Sequence, residues 1–191
     1  MSSDEVIIFI DGSNLYHSLK RGLKMKKLNL SKFVEMLTNK RKLKEVNYYN
    51  APKVPAGTEA AEIHRRFIEY VKSLPKFKVK LGKISRKTKF CFACEKYSKV
   101  AVEKKVDVMI ATDMFAAAIS GKCGTIILVS GDNDFTYVVS EIKKLDIDVE
   151  VACFRNSLAA ELRGSATHVI TLDKLKLDET CKRKPLTELG F

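Results

Sequence analysis

The chain alternates between short, unbroken apolar runs and longer stretches in which apolar residues recur every three or four positions. Val6 to Ile10 is a β-branched and aromatic run that stops at Asp11-Gly12-Ser13-Asn14, which predicts a buried strand ending in a tight turn. Leu15 to Arg21 reads as a short helix, and Leu30 to Lys42 as a second, with Phe33, Val34 and Leu37 on one side. Val46 to Asn50 predicts a strand, and Pro52, Pro55 and Gly57 make the next segment a loop. Thr58 is placed to cap a helix whose Ile63, Phe67, Tyr70, Val71 and Leu74 form one apolar stripe. Phe77, Val79 and Leu81 alternate with lysines, the period of a half-exposed strand.

The second half repeats the rhythm. Val106 to Ser120 is a strongly apolar helix ending at Gly121, and Thr125 to Ser130 is a strand that runs into Gly131-Asp132-Asn133-Asp134. A helix over Thr136 to Leu145, a strand over Val149 to Cys153, a short helix over Ser157 to Leu162 and a last strand over His168 to Leu172 complete the pattern. Such alternation predicts an α/β fold with a mainly parallel sheet and helices on both faces. Residues 1–173 read as one domain. Within it, about 83–100 forms a basic, cysteine-containing insertion that could be a hairpin, and 174–191, with Lys182-Arg183-Lys184-Pro185, reads as a basic tail.

Composition narrows the class. With 46% hydrophobic and 30% charged residues among 191, the chain is an ordinary globular protein. No apolar run approaches the roughly 20 residues that cross a bilayer. The acidic opening Met1-Ser2-Ser3-Asp4-Glu5 does not resemble a secretory signal, so a cytoplasmic location and no membrane partner are expected. The odd count of five cysteines argues against a disulfide framework, and Cys123 and Cys153 lie in apolar surroundings as small core residues. A net charge of +12 changes the picture more, because a basic surface around local acids suits a polyanion whose phosphates meet a metal.

The acids that matter stand after strands. Asp11 ends the first strand, Asp132 comes after the Thr125–Ser130 strand, and Asp134 stands two residues on, near the next helix. Asp107 opens the apolar helix, and Asp113 lies six residues later, about a third of a turn round from it. Carboxylates delivered to the end of a sheet from several segments can hold Mg²⁺ or Mn²⁺, which need only a few protein oxygens beside water and substrate phosphate. Each also has a plainer reading: Asp107 and Asp134 as helix caps, Asp113 as part of a buried hydrogen-bond network, Asn14 as a turn residue. Arg86, Lys87, Lys89, Lys104 and Lys105 are candidates for attracting an RNA backbone. The interleaved Phe90, Phe92 and Tyr97 either stack bases or pack inward.

Three motifs, I-D-G-S-N-L from Ile10, Glu103 to Met114, and V-S-G-D-N-D-F from Val129, resemble the NYN-domain family. The LabA-like branch of these PIN-related nucleases is the most similar. The resemblance runs to about Leu172 and implies a three-layer α/β/α PIN-like fold. It also implies a metal-dependent endoribonuclease, with Asp11, Asp107, Asp132 and Asp134 as the acidic cluster holding Mg²⁺ or Mn²⁺. Asn14 and Asp113 also match family positions, and the residues themselves leave their roles open: the Asn14 amide could orient a carboxylate or contact the scissile phosphate, and Asp113 could be a metal ligand, a group behind the ligands or part of a hydrogen-bond network.

Cys91 and Cys94 depart from that pattern. Their C-x-x-C spacing supplies half of a tetrahedral Zn²⁺ site, to be closed by a second chain in a homodimer, by His17 or His64, or by a remote cysteine; unliganded thiols are the alternative. Two further functions stay open: a catalytically silent RNA-binding adaptor of the same fold, dimeric through shared zinc, and a phosphatase. The latter is weakened because the Asp11 turn lacks a second acid two residues on.

Overall fold

The computed structural model describes residues 4–22, 28–51 and 57–174. The loop expected at Pro52 and Pro55 and the basic tail from 175 onward, including Cys181, lie outside the described residues. The elements run β1 (Glu5–Asp11), α1 (Gly12–Gly22), α2 (Leu30–Thr38), β2 (Lys42–Asn50), α3 (Glu59–Ser73), β3 (Phe77–Leu81), β4 (Lys83–Cys91) and β5 (Lys96–Lys104). They continue with α4 (Val106–Ile119), β6 (Thr125–Val129), α5 (Thr136–Lys143), β7 (Asp148–Cys153), α6 (Ala160–Ser165) and β8 (His168–Thr171).

Six strands form one sheet in the order β3-β2-β1-β6-β7-β8, and every neighbouring pair is parallel. Because side chains alternate along a strand, β1 feeds two cores. Val6, Ile8 and Ile10 pack with Leu15, Leu19, Phe33, Leu37, Ile68 and Val71 from α1, α2 and α3. Ile7 and Phe9 pack with Ile110 and Met114 of α4, Val139 and Ile142 of α5, and Leu162 of α6. The result is the three-layer α/β/α arrangement expected from the alternating pattern, with both sheet faces covered as a parallel sheet requires.

Several expected boundaries move, each for a local reason. The helix from Leu30 stops at Thr38 rather than Lys42, because Asn39 and Lys40 take left-handed backbone (φ 47° and 68°). Strand β2 therefore begins at Lys42. Arg41, just beyond the cap, donates to the carbonyls of Leu37 and Thr38 and forms a two-pronged ion pair with Glu150 on β7 (2.8 Å each). On α3 the Thr58 hydroxyl caps as expected, accepting from the Ala61 amide, but Ile63 is exposed and the buried pair is Ile68 and Val71. The helix expected over Ser157 to Leu162 divides into a 3₁₀ turn at Arg155–Ser157 and α6. Cys123 and Cys153 are buried free thiols, and burial pushes both up to about 11.

The region from 83 is a separate antiparallel ribbon, β4 with β5, reaching Lys104 rather than stopping near 100. It leaves the sheet at Gly82, where a Cβ would lie 2.9 Å from the Lys104 carbonyl oxygen and closer still to the Val106 side chain. The ribbon stem thus starts and ends beside α4.

An ion-pair cluster at the opposite end of β1 gives a pH prediction. Hydrogen bonds from Lys42 and then Lys44 pull the Glu5 carboxyl down from 4.5 to about 2. A lowered carboxyl stabilises the fold above its unfolded value and loses that contribution as pH falls through the folded one. Urea unfolding between pH 4.5 and 2 is therefore expected to show a steeper loss of stability for the native chain than for Glu5→Gln.

Candidate metal centre at the strand ends

Strand order reverses between β1 and β6, where the chain passes from building one side of the sheet to building the other. Open α/β sheets bind ligands outside the carboxyl ends of their strands at such a point. Asp11 is the last residue of β1, and Ser130-Gly131-Asp132 comes directly after β6. Asp11 shares its side of the sheet with Ile7 and Phe9, the side covered by α4, so it lies on the face from which Asp107 comes.

A pocket of about 450 Å³ opens there, lined by Asp11, Ser13, Asn14, His17, Arg21, Asp107 and Asp132. Asp11 is 5% exposed, whereas Asp107 and Asp132 are exposed at the rim. Hydrogen bonds hold the two turns together. The Asn14 amide donates to Asp11 Oδ1 (3.0 Å), and the Ser130 hydroxyl donates to Asp11 Oδ2 (3.3 Å). The Asp132 amide donates to Ser130 Oγ (3.3 Å), and the Gly131 amide donates to Asn14 Oδ1 (3.4 Å). Asn14 therefore ties the β1 turn to the β6 turn. Ser130 is almost fully buried between the acids, a role that a serine at a strand end does not announce.

The carboxylates divide by position. Asp132, not Asp134, does the capping: its Oδ1 accepts from the Asp134 amide (3.1 Å) at the start of the 3₁₀ turn Asn133–Phe135. Asp134 is exposed and outside the residues that line the pocket. Asp107 sits in the first turn of α4, where its charge suits the positive end of the helix. Asp113 is also placed away from the pocket. Its Oδ2 accepts from the Tyr49 hydroxyl (2.6 Å) and the Lys80 ammonium (2.7 Å), a network that satisfies a half-buried acid in that apolar helix. Burial, and then the Asp113 hydrogen bond and charge, push the Tyr49 phenol far up, so it remains a donor. Sequence reasoning missed Tyr49 and Lys80, and it did not single out Ser13, His17 and Arg21 for this pocket.

Among the described residues, no three His, Cys, Asp or Glu side chains stand close enough to hold one ion between them. The donor set nevertheless fits Mg²⁺ or Mn²⁺. Asp11, Asp107, Asp132 and Asn14 offer hard oxygens around one pocket, and these ions are commonly held by one or two carboxylates, with water and substrate phosphate supplying the rest. The same set lacks the sulfur and imidazole pairing of a closed zinc site.

The basic candidates occupy the ribbon and its root. Lys104 ends β5 and Lys105, with left-handed backbone (φ 77°), stands two residues before Asp107; both are exposed. Lys87 and Lys89 are exposed on β4, and the side chain of Arg86 lies outside the described residues. Strand alternation puts Lys83, Lys87 and Lys89 on one side of the ribbon and Phe90 with its partner Tyr97 on the other. Those rings pack on each other and not on the core. Cys91 and Cys94 are exposed free thiols at the tip, and amide hydrogen bonds from Cys94 and Ala93 hold the Cys91 thiol below its ordinary range.

Residues 5–173 match the family described as NYN domain. A solved structure of a protein of unknown function from Vibrio parahaemolyticus is similar to this chain at 18% identity and a TM-score of 0.67. The similarity covers 91% of this chain and 95% of that one, and it concerns the fold. No curated protein matches. Among the described residues no helix is long and apolar enough to cross a membrane.

Proposed function

The chain belongs to the NYN domain family, and from that premise we propose that it is a divalent-metal-dependent endoribonuclease whose centre is the Asp11, Asp107 and Asp132 pocket. The family is generally one of nucleases related to PIN domains. The observation that carries the reading is the meeting of three carboxylates and Asn14 in one pocket at the reversal of strand order, on a chain of net charge +12.

Position gives each residue its role. Asp11, paired with Asp107 or Asp132 across the pocket, would hold Mg²⁺ or Mn²⁺ beside the scissile phosphate through one or two carboxylates and coordinated water, and Asp134 adds negative charge outside the pocket. A divalent cation at such a site screens phosphate charge and lowers the pKa of coordinated water. Asn14 and Ser130 keep Asp11 and the Asp132 turn in register, so that the oxygens face one space. Arg21 and His17 line the same pocket and provide donors for phosphate oxygens. Lys104 and Lys105 at the ribbon root, with Lys87 and Lys89 further out, attract the RNA backbone along the path to the pocket.

The test is cleavage of end-labelled RNA by the purified chain in Mg²⁺ or Mn²⁺. Cleavage is expected to stop on chelation and return when the metal is restored. RNA bound without turnover under every metal condition would instead favour the silent adaptor.

A further inference from the structure

The ribbon tip is unexplained by the pocket chemistry. Cys91 closes the β4–β5 ladder opposite Lys96, and the chain between them turns through Phe92, Ala93, Cys94 and Glu95, with Glu95 in left-handed backbone (φ 51°). Such a turn brings the second cysteine back toward the first. The amides of Cys94 and Ala93 donate to the Cys91 sulfur, and the Cys94 side chain is itself within hydrogen-bonding reach of it. Amides aimed at a sulfur stabilise a thiolate, the form in which cysteine binds metals.

The same tip carries exposed aromatic surface. Phe92 is 89% exposed and Tyr97 74% exposed. Phe90 packs on both, edge-on to Phe92 at 5.2 Å and tilted to Tyr97 at 5.0 Å. Three rings and two thiols presented together form an apolar and reactive surface that a lone chain leaves uncovered.

From this juxtaposition of two thiols, amides aimed at one sulfur and an exposed ring cluster, we infer that the β4–β5 tip is half of a Zn²⁺ site and that a second copy of this chain supplies the other half. Zinc in a closed structural site takes four ligands in a tetrahedron, and two thiols are two of them. Among the described residues no further His, Cys, Asp or Glu joins the pair within reach of one ion. A second tip brings an identical pair, and a two-fold axis through the metal is the ordinary symmetry of such a contact. Charge supports the same occupant. Zn²⁺ with four thiolates carries a net double negative charge, and each copy presents Lys96 across from Cys91 and Lys89 one pair before the rings. The lysines that would otherwise repel two ribbons thereby acquire a counter-charge, and the rings of both copies cover one another around the metal. Base stacking on the rings would use no thiol, so it leaves the C-x-x-C turn without a purpose.

The experiment uses the full chain purified with Zn²⁺ supplied, with metal content, solution mass and sulfur coordination measured together. The expected result is about one zinc per two chains, a dimer by light scattering, and an X-ray absorption signal of four sulfurs at about 2.3 Å. Chelation and Cys94→Ser are each expected to remove the zinc and halve the mass while leaving circular dichroism unchanged; Cys181→Ser is expected to leave zinc and mass as they were. Phe92→Ala keeps the thiols and is expected to raise the dimer dissociation constant by about tenfold or more. One zinc per chain, lost in Cys181→Ser, would place the site within a single copy and overturn the inference. A zinc-free monomer whose affinity for single-stranded RNA collapses in Phe92→Ala would overturn it in favour of base stacking.

Discussion

Replacing Asp11 by asparagine is expected to remove metal-dependent RNA cleavage almost entirely while leaving the fold in place. Asparagine keeps the shape of the side chain, and it caps a helix as well as aspartate does. The Asn14 amide still finds an acceptor oxygen, and the Ser130 hydroxyl can turn to suit an amide. What disappears is the charge at the most buried carboxylate of the pocket. A metal ion supplies several kcal/mol of transition-state stabilisation, and each 1.4 kcal/mol is about tenfold in rate. Loss of one anchoring charge is therefore expected to slow cleavage by on the order of 10²–10³, with the melting temperature nearly unchanged. Single-turnover cleavage rates of the two proteins, beside their thermal unfolding curves, measure both halves. A variant that cleaves at the native rate would remove Asp11 from the centre.

The second large effect is on stability. Gly131 sits where the turn after β6 passes the segment joining β7 to α6, and the Ala159 amide donates to its carbonyl (3.1 Å). A Cβ on residue 131 would run into the Ser157 carbonyl oxygen, which is backbone and cannot swing aside. Either the Asp132 turn or the Ser157–Ala159 segment must shift, and Leu158 and Ala159 of that segment pack against the core that holds the fully buried Phe135 and Leu162. Gly131→Ala is expected to cost about 3 kcal/mol, the upper range for overpacking, and to lower the melting point by about 6–12 °C in a chain of this size. Because Asp132 is next in the chain, metal-dependent cleavage should fall as well. An alanine variant that melts with the native protein would mean that this approach is looser than the structure has it.

How far the residues themselves announced this arrangement depends on the range of the interactions involved. The strand ends were legible, because an apolar β-branched run that stops at glycine and aspartate is a local signal, as at Ile10-Asp11-Gly12 and Val129-Ser130-Gly131. The Thr58 cap was legible for the same reason. Positive backbone angles were not: Asn39 permits left-handed backbone but does not dictate it, so the helix over Leu30 appeared longer than it is. The faces of α4 were also hidden. Apolar residues surround that helix on all sides, with Ile110 and Met114 buried but Val108 and Ile119 exposed, so no periodicity said where Asp107 and Asp113 would point. Asp113 went to Tyr49 and Lys80, side chains 64 and 33 residues distant that the pairing of β2 with β3 sets in register. A spacing rule along one helix contains no such information. The ribbon falls between these cases. Its alternating lysines and aromatics predicted either outward or inward rings, and the structure has them outward at the tip, packed on each other.

The proposed chemistry stands on Asp11 holding a divalent cation together with Asp107 or Asp132, the carboxylates that the start of α4 and the turn after β6 bring to the same pocket, with water completing the shell. Electron paramagnetic resonance of Mn²⁺ titrated into the full chain measures free and bound ion directly, without RNA and without turnover. Saturable binding in the submillimolar range is expected, lost in the combined Asp11→Asn, Asp107→Asn and Asp132→Asn variant and kept in Asp113→Asn. Equal binding by the native and triple-variant chains, or no binding by the native chain at millimolar Mn²⁺, would contradict it.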